Sequence, residues 1–295
     1  MITSAKITII AGPTASGKSS VALSLAQKTG GVIINADSQQ MYADLRVLTA
    51  RPSVADEALA PHKLYGALRA HEACSAGLWL NMAKMEIDWA LGQGRQAIVV
   101  GGTGLYIKAL MQGIAEIPDI DPAVRAQAMN DFEAMGKEAF AARLREIDPA
   151  FFERLKVQDR QRLVRAYEVW LGSGKTLSWW QGRAVTPPYA PEHFECFQVA
   201  PERATLYRNC DARFEQMLES GALEEVRALM ELTLSPSLPI VKTLGVKELS
   251  AYLRGDITLE AAKASAQQAT RNYAKRQLTW LRNQMPGLPS LSPAG

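Results

Sequence analysis

Four short, predominantly apolar runs punctuate the chain, at Ile7–Ala11, Val32–Ala36, Gln96–Val100 and Cys196–Ala200. Runs of this length without polar alternation predict strands covered on both faces, the pattern of a parallel sheet. Between them the apolar positions recur at helical spacing. Over 18–29, for example, Val21 and Leu25 with Ala22 and Ala26 share one side. Strands alternating with helices predict an α/β fold with a doubly wound, mainly parallel sheet. The rhythm changes after Gly113. Pro118 and Pro122 mark one break and the Thr186-Pro-Pro-Tyr-Ala-Pro191 stretch a second, with charge- and alanine-rich helical patterns over 123–146 and 150–171 between them. The expected organisation is therefore a core of 1–113 and 193–295, interrupted by a helical insertion at 114–192. Residues 201–232 and 258–283 read as helices returning to the core, with Asp256, Thr258 and Glu260 as start signals for the last. Gly287–Gly295 reads as a loose tail.

Three motifs sit directly behind predicted strands. Gly12-Pro-Thr-Ala-Ser-Gly-Lys-Ser19 is a full G-x-x-x-x-G-K-[ST] phosphate loop in the strand–loop–helix context that the motif requires. Its glycines allow backbone N–H groups to turn inward, and the helix N-terminus completes an anion cradle. Gly12, Thr14, Ala15, Ser16, Gly17, Lys18 and Ser19 are the candidate phosphate-binding residues, with the Ser19 hydroxyl suited to Mg²⁺. Asp37-Ser-Gln-Gln-Met-Tyr42 follows the second run. A carboxylate there can hold a metal, act as a general base, or cap a turn. Gly101-Gly-Thr-Gly-Leu-Tyr106 follows the third run and is either a tight strand-to-helix connection or a wall that something approaches closely. In a doubly wound sheet, motifs at strand carboxyl ends converge on one edge.

Composition narrows the alternatives. At 295 residues, with 47% hydrophobic and 21% charged residues, the chain has an ordinary globular balance. Its apolar runs are all too short to span a bilayer, so no membrane association is expected. The first strand starts so early that no signal peptide is expected either, and a cytoplasmic location follows by elimination. Cys74, Cys196 and Cys210 lack C-x-x-C spacing, which argues against both a disulfide framework and a zinc site. The net charge of +3 is small, but from Ala261 to Gly295 there are five basic residues and no acid. Three of them, Arg271, Lys275 and Arg282, fall within about 40° of one another on a helix, as expected of a phosphate-contacting stripe. Tyr273 and Trp280 point the other way, toward a core.

The motifs together resemble the tRNA dimethylallyltransferase family. Besides the three above, Thr49-Ala-Arg-Pro52, Asp159-Arg-Gln-Arg162 with Arg165-Ala-Tyr-Glu-Val169, Gly174-Lys-Thr176, Arg213 with Met217 and Gly221, and Ala274-Lys-Arg-Gln-Leu-Thr-Trp280 follow in family order over nearly the whole chain. Ser19 stands where threonine is usual, Arg51 where lysine is usual, and Val246 where tyrosine is usual. The resemblance implies transfer of a dimethylallyl group from dimethylallyl diphosphate to N6 of the adenosine 3′ of the anticodon, with Mg²⁺. By the same resemblance Asp37 would be the base, and Lys18, Ser19 and Arg213 would act at the diphosphate. Asp37, Ser38, Gln39, Gln40 and Thr103 would meet the flipped adenosine. Arg125, Gln158, Asp159, Arg160, Gln161, Arg162 and the C-terminal helix would meet the tRNA anticodon stem-loop. A monomer is expected. Two rivals are a small-molecule kinase using Asp37 on a hydroxyl, and a nucleotide-gated RNA-binding module without chemistry.

Overall fold

The computed structural model describes residues 6–155 and 159–292. The chain divides into two compact units, one formed by Met1–Met111 with Pro188–Gly295 and the other by Gln112–Pro187.

The first unit is built on a five-stranded, all-parallel sheet. Its strands are β1 (Ile7–Ala11), β2 (Val32–Asn35), β3 (His62–Lys63), β4 (Ala97–Gly101) and β5 (Phe194–Gln198), in the spatial order β3-β2-β4-β1-β5. The apolar runs split between two layers because successive strand side chains face opposite ways. Ile7, Ile9, Val32, Ile34, Ala97 and Val99 belong to the larger core. Ile10, Ile33, Ile98 and Val100 belong to the smaller one, closed by Ala22 and Ala26 of α1 (Lys18–Thr29). The larger core is covered by α3 (Ala76–Gly92), α4 (Gly104–Gln112), α10 (Ala222–Glu231), α11 (Val246–Leu253) and the long α12 (Leu259–Gln284).

β3 has only two residues, so no apolar run announces it; α2 (Val54–Leu59), capped by Ser53, precedes it. β5 lies two residues before the expected run, because Phe194–Gln198 pairs with all of β1. The expected helix over 201–232 is two helices, α9 (Arg203–Glu219) and α10, broken where Gly221 takes φ 103°. Thr258 caps α12, accepting a hydrogen bond from Ala261 N–H.

The second unit contains α5 (Pro122–Ile147), α6 (Pro149–Arg154), α7 (Arg160–Ser173) and α8 (Leu177–Gln181), around a core that includes Phe132, Phe140, Leu144, Leu163 and Val169. The single helix expected over 150–171 is divided into α6 and α7. Asp148 caps α6 and Asp159 caps α7, each side chain accepting a backbone N–H at the start of its helix.

Candidate active site

Parallel register brings the strand-end motifs to one edge. Ala11 pairs with Gly101 and Asn35 with Val100, so the three following loops leave the sheet at one level. They are hydrogen-bonded to one another. Gly12 N–H donates to Gly101 O (3.2 Å), Ala36 N–H to Val100 O (2.7 Å) and Thr103 N–H to Ala36 O (3.2 Å). Close approach dictates glycine at position 101, where a Cβ would sit 2.1 Å from Ala36 O.

The phosphate loop holds its turn through left-handed Ala15 (φ 61°) and Gly17 (φ 87°). Lys18 is buried, and its ammonium donates to Pro13 O at 3.2 Å. Burial pulls its pKa down from 10.5 to about 8; the Asp37 carboxylate opposes that fall and the Arg213 guanidinium adds to it. Ser16 is buried with a hydroxyl that has no protein partner, and Ser19 is exposed at the start of α1.

Asp37 is buried and rigidly placed. Its N–H donates to Asn35 Oδ1 at 2.8 Å, and Asn35 Nδ2 donates to both Asp37 O and Leu64 O at 3.0 Å. One carboxylate oxygen, Oδ1, accepts Gln39 N–H at 3.0 Å. The turn-forming and chemical readings of this aspartate are therefore compatible, since one oxygen serves the turn. Ser38 N–H donates to Thr103 Oγ1 at 2.9 Å, linking the second and third motifs. Gln40 is committed to structure: its amide donates to Thr49 O and Ala50 O at 2.9 and 2.7 Å. Arg51 braces the same segment from Tyr42 O and Ala43 O.

These elements border a cleft. One part of its lining is polar, from Thr14, Asp37, Gln39, Thr49 and Arg213. Another is apolar, from Leu48, Phe214, Met217 and Leu244, with Tyr273 beside them. Arg213, on α9, donates to the Thr14 hydroxyl. Burial lowers its guanidinium pKa, and the Asp37 charge opposes that shift. Glu225 of α10 accepts the N–H groups of Arg46, Val47 and Leu48 at 2.8, 2.7 and 3.0 Å, which fixes the Leu48 wall.

Several expected contacts are differently employed. Arg271 pairs with Asp211 at 2.5 Å and donates to Gln268 at 2.8 Å. The acid-free tail thus meets acids from α9, which also supplies Glu215 to Lys263 at 2.6 Å. Lys275 and Arg282 remain exposed, with no ion pair among the described residues. Tyr273 lines the cleft rather than a core, and Trp280 packs beneath Gly104. Val246 is buried at the start of α11. Within the second unit, Arg125 and Arg165 both pair with the buried Glu168, Arg160 pairs with Glu133, and Arg162 pairs with Asp159 at 3.1 Å. Gln161 is exposed, and Gln158 lies outside the described residues. Gln277, inside the Ala274–Trp280 motif, is a further residue of the site. It is buried on α12, accepts Thr14 N–H at 2.8 Å and donates to Gly102 O at 2.9 Å. Its signal in the sequence is a glutamine among the small and apolar positions of that helix.

The family model described as IPP transferase matches residues 40–284, and one described as isopentenyl transferase matches residues 5–71. The chain belongs to the IPP transferase family. It is 52% identical over 287 residues to the tRNA dimethylallyltransferase of Phenylobacterium zucineum, covering 97% of this chain and 92% of the relative. It is likewise 52% identical over 289 residues to that of Rhodospirillum centenum, covering 97% and 91%. Among solved structures it resembles the tRNA isopentenylpyrophosphate transferase of Bacillus halodurans, with a TM-score of 0.69, 29% identity, and coverage of 98% and 90%. A eukaryotic dimethylallyltransferase acting on tRNA shares the fold at a TM-score of 0.82 and 24% identity, covering 98% of this chain and 74% of that one. Family membership makes this chain an enzyme, a prenyltransferase, and favours prenyl transfer over the kinase reading. Among the described residues no helix is long and apolar enough to cross a membrane.

Proposed function

We propose that this enzyme transfers a dimethylallyl group from dimethylallyl diphosphate to N6 of the adenosine 3′ of the anticodon in tRNA. The observation that carries this reading is the meeting of the phosphate loop, Arg213 and Asp37 at one cleft that also has an apolar wall. The diphosphate lies in the loop, against Lys18 and Arg213. The allylic C1–O bond breaks and leaves its electron pair on diphosphate, N6 bonds to C1, and the N6 proton passes to the Asp37 carboxylate. A buried ammonium and a guanidinium preorganised at the leaving group stabilise the charge that develops there. Ser38 and Thr103, already hydrogen-bonded together, border the acceptor base. Extruding a loop nucleotide costs less than opening a duplex, which suits an anticodon-loop target.

The residues present fit Mg²⁺ as a companion of the diphosphate. Among the described residues no cluster of three His, Cys, Asp or Glu side chains could hold a metal by itself, whereas the Ser19 hydroxyl is exposed at the loop and is a hard oxygen donor. When bound there, Mg²⁺ neutralises leaving-group charge. Exposed Lys275 and Arg282 are assigned to tRNA phosphates, and the enzyme is read as a cytoplasmic monomer.

The deciding experiment mixes the protein with dimethylallyl diphosphate, Mg²⁺ and unmodified tRNA, and seeks prenylated adenosine by mass spectrometry. Product supports the reading. Absence of product together with substrate-stimulated ATP hydrolysis overturns it in favour of the kinase.

A further inference from the structure

Gln277 is 5% exposed on a helix whose other buried positions include Ala262, Ala266, Ala274 and Leu281. Packing alone would be met by an apolar residue there, and a buried amide destabilises unless both its polar ends are paired. Both are paired, and with opposite partners. Oε1 accepts Thr14 N–H at 2.8 Å and Nε2 donates to Gly102 O at 2.9 Å, so only one orientation of the amide satisfies the site. The fit leaves no slack: a Cβ on Gly102 would lie 2.2 Å from Nε2 and 2.8 Å from Gly12 O.

The bond to Thr14 has a consequence for the cradle. The Thr14 N–H is already occupied by Gln277, as the Ser16 N–H is by Pro13 O at 3.3 Å, so the anion must be met by the remaining amides of the loop. Thr14 is then held as a spacer whose hydroxyl meets Arg213. The bond to Gly102 holds the neighbouring Thr103, which accepts Ser38 N–H. One side chain thus spans the donor side and the acceptor side of the cleft.

We propose that Gln277 is a positioning residue, registering the phosphate loop and Arg213 against the Ser38–Thr103 side of the site so that the two reactants meet in line. The inference rests on the prenyl-transfer reading above. A displacement of about 1 Å between reacting groups can cost on the order of a hundredfold in rate.

The test uses the full-length enzyme with dimethylallyl diphosphate, Mg²⁺ and unmodified tRNA. Gln277→Met keeps length and apolar packing but removes both hydrogen bonds. It is expected to lower kcat about tenfold or more, with tRNA affinity unchanged. Amide exchange should quicken in segments 12–19 and 101–104 and stay unchanged in 7–10. Gln277→Glu supplies the second reading, which holds if the methionine variant does not fold. A protonated glutamic acid reproduces the donor–acceptor pattern, whereas the carboxylate turns an oxygen on Gly102 O. Activity of this variant relative to wild type should therefore recover as pH falls through the carboxyl titration. A flat ratio, or a methionine variant with wild-type kcat and exchange, overturns the positioning role. An inactive wild type overturns the prenyl-transfer reading instead, while exchange in the two segments still decides whether Gln277 holds the loops.

Discussion

The Arg213 guanidinium donates a hydrogen bond to the Thr14 hydroxyl, joining α9 to the phosphate loop across 199 residues of sequence. The bond aims a half-buried cation at the place where leaving-group charge would develop. Arg213→Gln is expected to reduce kcat about 10²–10³-fold, the usual cost of losing one preorganised donor. Thr14→Val keeps the cation but loses its tether, and about tenfold is expected from one charge-assisted hydrogen bond. Because the two act as a unit, the double variant should be little worse than Arg213→Gln alone. Single-turnover rates for the three variants check this, and multiplicative losses would show that the two residues act independently.

The depressed pKa of Lys18 makes two pH effects. In the unfolded chain the ammonium titrates near 10.5, in the folded one near 8. Between those values the unfolded state holds the proton and the folded state does not, so this group makes stability rise with pH across that window. Below about pH 8 both states are protonated and the folded protein carries the full burial cost. Lys18→Met should therefore melt higher than wild type at pH 7, with the difference fading toward pH 10.5. Donor binding runs the other way. Wild-type affinity for dimethylallyl diphosphate should fall as pH rises past about 8, and the variant should bind weakly at every pH. Calorimetric melts and donor titrations over that range decide both.

The sheet is legible in the sequence because strands buried on both faces leave predominantly apolar runs; β1 matches its run to the residue, and β2 and β4 match theirs to within one at each end. β3 is not legible, since two residues carry no pattern. Helix breaks at Gly221 and after Arg154 are not announced by the apolar pattern alone. Loop, Asp37 and Thr103 were readable because each follows a strand end. Gln277 and the Glu225 support of Leu48 were not, because each depends on a partner more than 170 residues away. Arg271 shows the same limit: the absence of acid around it in sequence said nothing of Asp211 on α9.

That pairing changes what the basic stripe on α12 is expected to do. Lys275 and Arg282 are exposed, whereas Arg271 already serves Asp211 and Gln268. Lys275→Gln and Arg282→Gln should each reduce the salt slope of tRNA binding by about 0.7–0.9 and leave donor binding alone. Arg271→Gln should leave the slope unchanged and lower the melting temperature slightly, as for a partly exposed ion pair worth about 1 kcal/mol or less. Titrating labelled tRNA over a range of salt concentrations measures all three. Equal slope changes would mean that Arg271 exchanges Asp211 for phosphate when RNA arrives.

Asp37 separates the chemistry from the binding. Its backbone N–H and C=O are held by Asn35, and its Oδ1 accepts Gln39 N–H, so the turn depends on oxygen atoms rather than on a negative charge. Asp37→Asn retains an oxygen for Gln39 and removes only the basic group. Donor and tRNA dissociation constants should stay near wild type, while the single-turnover rate falls by about two orders of magnitude or more, the size of a general-base contribution. Asp37→Ala removes the Gln39 acceptor as well, and should also loosen the segment from Ser38 to Gln40, seen as faster amide exchange. An asparagine variant that still reacts at near wild-type rate would reduce Asp37 to a turn former and move the proton acceptor elsewhere in the cleft.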